Sequence, residues 1–279
     1  MPVQSLFLGA STVIITDGAS SILIDGFFTR PSLPKLLWGK VQPDRARIDE
    51  VLARAGVTSI DLLVVSHSHV DHALDCPIVA RATGARLAGS SSTLMVARGL
   101  GFDESRFVEL VPGVPLTAGD FVVTPISAVH GNADRFPGEI VEPLVPPAKA
   151  SAYKTGGCFD FHLQHPDASV LVHPTANFIP GALTDHPADV IYLGAGAAGL
   201  QSEAWRNRYW DETVVATGAS VVLPIHWDRY WRPLSAPLSP LPARLDDLDA
   251  TLATWMARAN ASRVDLRLPE AWVWESLDA

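Results

Sequence analysis

Three histidines and an aspartate fall within six residues, His67-Ser68-His69-Val70-Asp71-His72. Imidazole and carboxylate are the donors that Zn²⁺ and its first-row neighbours prefer, so this stretch is read as a metal site rather than as a polar loop. In extended backbone His67 and His69 point to the same side and can share one ion. Asp71 and His72 come after the turn, where the chain can reach a second position. One or two Zn²⁺ ions are expected, with Mn²⁺ or Fe²⁺ as substitutes.

Such a cluster needs a rigid support, and the residues before it supply one. Leu62-Leu63-Val64-Val65 is an apolar run that reads as a buried strand ending at the histidines. The chain has 279 residues, 48% hydrophobic and 18% charged, which allows a large core and argues against disorder. Its net charge is −9 with no cluster of Lys or Arg, unlike a nucleic-acid binder, which needs a basic face. A small-molecule partner fits better, an anionic one included if metal and one or two arginines hold it. The two cysteines, Cys76 and Cys158, lack metal-binding spacing and read as buried thiols in a reducing compartment. No run of eighteen apolar residues suggests a membrane span, and the start of the chain lacks a basic leader, so the expected location is the cytoplasm. Self-association is left open by the sequence.

The elements alternate as in an α/β protein. Leu6–Leu8, Thr12–Ile15 and Ser21–Ile24 read as a β-meander closed by Asp25-Gly26. Residues 27–44 mix Phe27, Phe28, Leu36 and Trp38 with three prolines, which predicts a loop beside the site mouth or against a second subunit. Helices are expected over 48–55, 73–82, 93–98, 203–216 and 245–259, and strands over 86–88, 107–111, 120–126, 158–163, 170–173, 190–194 and 220–225. Residues 132–156 show no period and read as a lid or pocket wall. Arg135 and Lys154 in that segment read as surface charges. His162 and His165 are taken as structural. The Gly-rich turn 195–199 lacks the spacing of a dinucleotide loop.

The six-residue cluster resembles the H-x-H-x-D-H signature of the metallo-β-lactamase fold superfamily. That resemblance implies a four-layer αββα sandwich, taken here as a single domain over residues 1–279. It also implies that His130, at a strand end, completes the first metal's ligands, and that His226 binds the second metal. Asp25 would lie beneath the site and orient it. The stretch Val222-Leu223-Pro224-Ile225-His226-Trp227-Asp228 resembles the branch containing ascorbate-phosphate lactonases, with Asp228 a further candidate beside the centre. One position departs from the pattern. Where dinuclear members place a bridging aspartate, this chain has Thr175 after Val172-His173-Pro174. Three outcomes follow: a shared water and Asp71 bridge two metals, His173 swings in as a ligand, or one metal alone binds tightly. The first is preferred.

The expected activity is hydrolysis of a small-molecule ester, lactone or amide by a metal-bound hydroxide, with Asp71 orienting the water and carrying its proton. Phosphodiester cleavage and a catalytically reduced scaffold are the alternatives. A di-iron redox protein of this fold would need a glutamate near His69.

Overall fold

The computed structural model describes residues 2–132 and 134–277. The first sheet begins with β1 (Gln4–Phe7), β2 (Val13–Thr16) and β3 (Ser21–Ile24), which pair antiparallel. It continues through β4 (Leu62–Val64), β5 (Arg86–Gly89) and β6 (Phe107–Glu109), all parallel to β3. The second sheet runs in order from β7 (Leu116–Ala118) through β8 (Phe121–Ser127), β9 (Phe159–His165), β10 (Ala168–His173), β11 (Val190–Gly194) and β12 (Val221–Ile225) to β13 (Asp265–Leu266). A last strand, β14 (Trp274–Ser276), returns to pair with β1, so each sheet has seven strands among the described residues.

Strands apolar on both faces explain the layers, because successive side chains of a strand point to opposite sides. Val13, Ile15, Ile22, Ile24, Leu62 and Val64 face the core between the sheets, with Val123, Phe161 and Val170 opposite. Their neighbours Ile14, Leu23 and Leu63 face the other way, into a second core. That outer core is covered by α2 (Arg45–Ala55), α4 (Cys76–Thr83) and α5 (Ser91–Gly99); α1 (Leu33–Trp38) comes before α2, and the single-turn α3 (Val70–Ala73) comes just before α4. On the far side, α6 (Glu203–Trp210) and α7 (Leu248–Ser262) bury Tyr209, Trp210 and Trp255 against the second sheet. Each fully buried apolar side chain of this kind contributes about 1.5–3 kcal/mol. The result is the expected αββα arrangement of sheets and helices. No helix among the described residues is long and apolar enough to cross a membrane.

Several expected boundaries move. The helix expected over 73–82 is two pieces, α3 and α4, broken at Leu74–Asp75, and Pro77 sits in the first turn of α4 where its missing N–H costs nothing. The helix expected over 203–216 becomes a π-helical turn at Asp211–Val215. The strand expected over 158–163 extends through His165, so the hairpin to β10 turns on Pro166-Asp167. Strands β7, β13 and β14 were not anticipated. Within 27–44, α1 forms with Pro34 in its first turn.

The strand directions set up the site. β8 is antiparallel to β9, and β9 to β10, so β8 points along with the parallel set β10, β11 and β12. Ser127 and Ile225 therefore end on one edge, just before His130 and His226. In the first sheet, parallel strands β3 and β4 end together at Asp25 and at the histidine cluster. Ligand sites of α/β sheets form at such carboxyl ends.

Candidate metal centre

Six side chains from both sheets meet at this edge in two trios, His67/His69/His130 and Asp71/His72/His226. Within each trio the ligand-type atoms lie within 4.8 Å of one another. The trios adjoin, with the His67 and His72 rings 3.8 Å apart between centroids, and within the second trio Nε2 of His72 and Nε2 of His226 stand 3.1 Å apart. All six residues line one cavity of about 390 Å³.

Each imidazole of the motif is held by its outer nitrogen. Asp25, wholly buried, accepts from Ser66 N and Ser66 Oγ at 2.7 Å and from Ser11 Oγ at 2.8 Å, and its Oδ2 stands 2.8 Å from His72 Nδ1. His67 Nδ1 lies 3.1 Å from Ser66 Oγ, and His130 Nδ1 donates to Gly131 O at 3.0 Å. His69 Nε2 stands 3.2 Å from Thr155 Oγ1 and 3.4 Å from Asp134 Oδ1. Outer hydrogen bonds of this type fix the tautomer that turns the other nitrogen toward a metal.

The donor chemistry fits a metal. Nε2 of His67 is buried and meets no hydrogen-bond partner, which is costly for an imidazole unless a Lewis acid takes its lone pair. Burial, reinforced by His72, pushes His67 well below its ordinary value; burial takes His69 down to about 4 and lowers His130 as well. All three are therefore neutral, as ligands must be. Burial alone would raise the Asp71 carboxyl, but His72 and His226 hold it well below the carboxylate range. At His226 burial is outweighed by Asp71, 3.3 Å away, and the imidazole rises.

His226 sits in the left-handed region (φ 59°), an uncommon place for a non-glycine residue. Its N–H donates to Ala10 O at 2.7 Å, and the Ala10 N–H donates to Asp228 Oδ1 at 2.6 Å. Asp228 also pairs with Arg30 at 2.8 Å, both side chains fully buried. Asp228 thus holds the backbone under His226. Gly196 closes the other side: a Cβ there would lie 3.0 Å from His226 O and 3.1 Å from its Nδ1.

Two residues near the departure take roles of their own. His173 is engaged away from both trios: its Nδ1 lies 2.8 Å from Asp160 and its Nε2 donates to Asn177 O at 2.7 Å. Thr175 lines the cavity, but its hydroxyl donates to Val129 O at 2.9 Å, so it brings no carboxylate between the trios. The residue pattern alone does not mark Asp134, Thr155 or Gly196, which lie in irregular segments without periodic signal. Arg135, read as a surface charge, lines the cavity with Phe136. Leu33, Leu36 and Leu37 line it too, which puts the 27–44 segment at the mouth.

Fold and site define a class. The chain belongs to the metallo-beta-lactamase superfamily, whose sequence profile matches residues 6–194. Over 130 residues it is 32% identical to a UPF0173 metal-dependent hydrolase of Anaeromyxobacter dehalogenans (strain 2CP-C), covering 44% of this chain and 40% of that protein. It is 27% identical over 124 residues to a UPF0173 metal-dependent hydrolase of Myxococcus xanthus (strain DK1622), covering 44% and 37%. The chain thus spans about two fifths of the length of these curated relatives. Among solved structures it is similar in fold to Igni18, a metallo hydrolase from Ignicoccus hospitalis, with TM-score 0.62 at 15% identity over all of both chains. A possible metal-dependent hydrolase from Veillonella parvula matches with TM-score 0.63 at 14% identity, covering 99% of this chain and 100% of that one. CmlA, a diiron β-hydroxylase from Streptomyces venezuelae, matches with TM-score 0.60 at 15% identity, covering all of this chain and 54% of that one.

Proposed function

We propose that this chain is a metal-dependent hydrolase that cleaves an ester, lactone or amide bond of a small molecule. The observation that carries the reading is the convergence of both trios on one cavity with His67 Nε2 buried and unpartnered. His67, His69 and His130 would hold one divalent ion, and Asp71, His72 and His226 a second, with Zn²⁺ the best match to this donor set and Mn²⁺ or Fe²⁺ as substitutes. Bound there, such ions supply Lewis acidity and lower the pKa of a water toward ~7. Asp71, ionised and on the cavity wall, is placed to orient the attacking water and to pass its proton to the leaving group. Burial pushes the Tyr230 hydroxyl up, so it stays protonated and can donate to a substrate oxygen.

The walls favour a small, partly apolar substrate. Leu33, Leu36, Leu37, Trp231 and Leu241 supply apolar surface, and Arg135 is the one Lys or Arg among the lining residues. A single guanidinium suits one carboxylate or carbonyl better than a polyanionic backbone, which favours ester, lactone or amide over phosphodiester. The resemblance of residues 222–228 points the same way, to a lactonase-like branch. The two free thiols, Cys76 and Cys158, fit a reducing cytoplasmic setting.

Elemental analysis of protein purified without chelators, paired with generic ester and lactone assays, tests this. The expected result is close to two equivalents of transition metal and hydrolysis abolished by His69→Ala. Protein that takes up no transition metal overturns the reading.

A further inference from the structure

We infer that Asp134 and Thr155 are positioning residues that set the metal-binding tautomer of His69, and so tie the first trio to the irregular 132–156 segment. The inference rests on the metal-centre reading above. Thr155 is anchored on both sides: its carbonyl accepts from Ser68 N, inside the motif, at 2.8 Å, and its N–H donates to Phe136 O at 3.1 Å. Its hydroxyl lies 3.2 Å from His69 Nε2 and donates to Asp134 Oδ2 at 2.5 Å. Asp134 is itself fixed, because its Oδ1 accepts from Phe136 N at 3.0 Å while standing 3.4 Å from His69 Nε2. Gly156 makes this approach feasible, since a Cβ at that left-handed position (φ 63°) would stand 2.6 Å from Ser92 Cβ and 3.2 Å from Ser68 Oγ.

The proton count fixes the consequence. Thr155 spends its one hydroxyl proton on Asp134 Oδ2, so toward His69 it offers only a lone pair. Asp134 Oδ1 is likewise an acceptor. Both neighbours of Nε2 therefore require a proton on that nitrogen, which leaves Nδ1 bare to bind the ion. Among the described residues no comparable clamp from this segment acts on the second trio, where Asp25 orients His72.

The test titrates Zn²⁺ against a chromophoric chelator in a His226→Ala background, so that the first trio alone is read. Thr155→Val and Asp134→Asn are expected to weaken Zn²⁺ binding about 10–100-fold, the usual effect of losing an outer hydrogen-bond partner, with the thermal midpoint of the metal-free protein unchanged. Thr155→Ser, which keeps the hydroxyl, is expected to restore affinity. Unchanged affinity in both weakening variants overturns the inference, as does a loss that Thr155→Ser fails to restore. If the His226→Ala protein binds no Zn²⁺ at all, the failure lies with the metal-centre reading instead.

Discussion

The two trios share a cavity but are held by different means. Asp71, His72 and His226 are fixed from within the protein: Asp25 lies under His72, and the Ala10–Asp228–Arg30 chain lies under His226. His67, His69 and His130 bring three neutral imidazoles, and two of them depend on partners outside the sheets, Gly131 O and the Thr155–Asp134 pair. The second trio also carries the centre's one carboxylate. The contrast teaches that one trio is built into the core while the other is completed by an outer segment that also forms the cavity wall. The core-built position should be the tighter one.

The largest expected effect strikes the core-built side. Asp228→Ala strands the Arg30 guanidinium in the interior and should cost about 3–5 kcal/mol, read by urea denaturation of the metal-free protein. At concentrations where the variant still folds, it should weaken the second position and spare the first; equal losses at both would break the comparison. Next come the single-ligand deletions. His226→Ala and His130→Ala should each remove about one metal equivalent by elemental analysis, one for each ion its trio holds. Loss of both ions from either variant would show a single coupled centre.

The smallest effect sharpens the contrast through acid. The unfolded chain protonates these imidazoles near pH 6.5, whereas folded His69 resists until about pH 4. The stability this contributes is therefore complete above about pH 6.5 and lost as the pH falls toward 4. Thermal midpoints of metal-free protein should drop across that window, and His69→Ala should flatten the slope.

Much of this was legible in the residues. Near-continuous apolar runs at Val13–Ile15, Ser21–Ile24 and Leu62–Val65 mark strands buried on both faces, because one strand buries side chains in both cores. His130 and His226, each following an apolar strand, were legible only through the family resemblance. The partners that orient the ligands did not stand out. Asp134 reaches His69 across 65 residues of sequence through an irregular loop, and nothing in a local window marks that contact. Gly196 looked like a turn glycine, yet its bare Cα is what lets His226 pack close. β13 and β14, two and three residues long, exist because β12 and β1 offer them an edge, which is a property of the partner strand and not of their own residues.

Thr175 has a consequence for the charge of the centre. With its hydroxyl turned to Val129 O, the ligand set holds five imidazoles and a single carboxylate, Asp71. Loaded with two divalent ions, such a centre would carry net positive charge, which Asp25 beside His72 and Asp134 beside His69 offset only in part. It would act as an anion trap, holding a carboxylate product after the bond is cut. Turnover would then be paced by product departure, and simple anions in the buffer would compete with substrate.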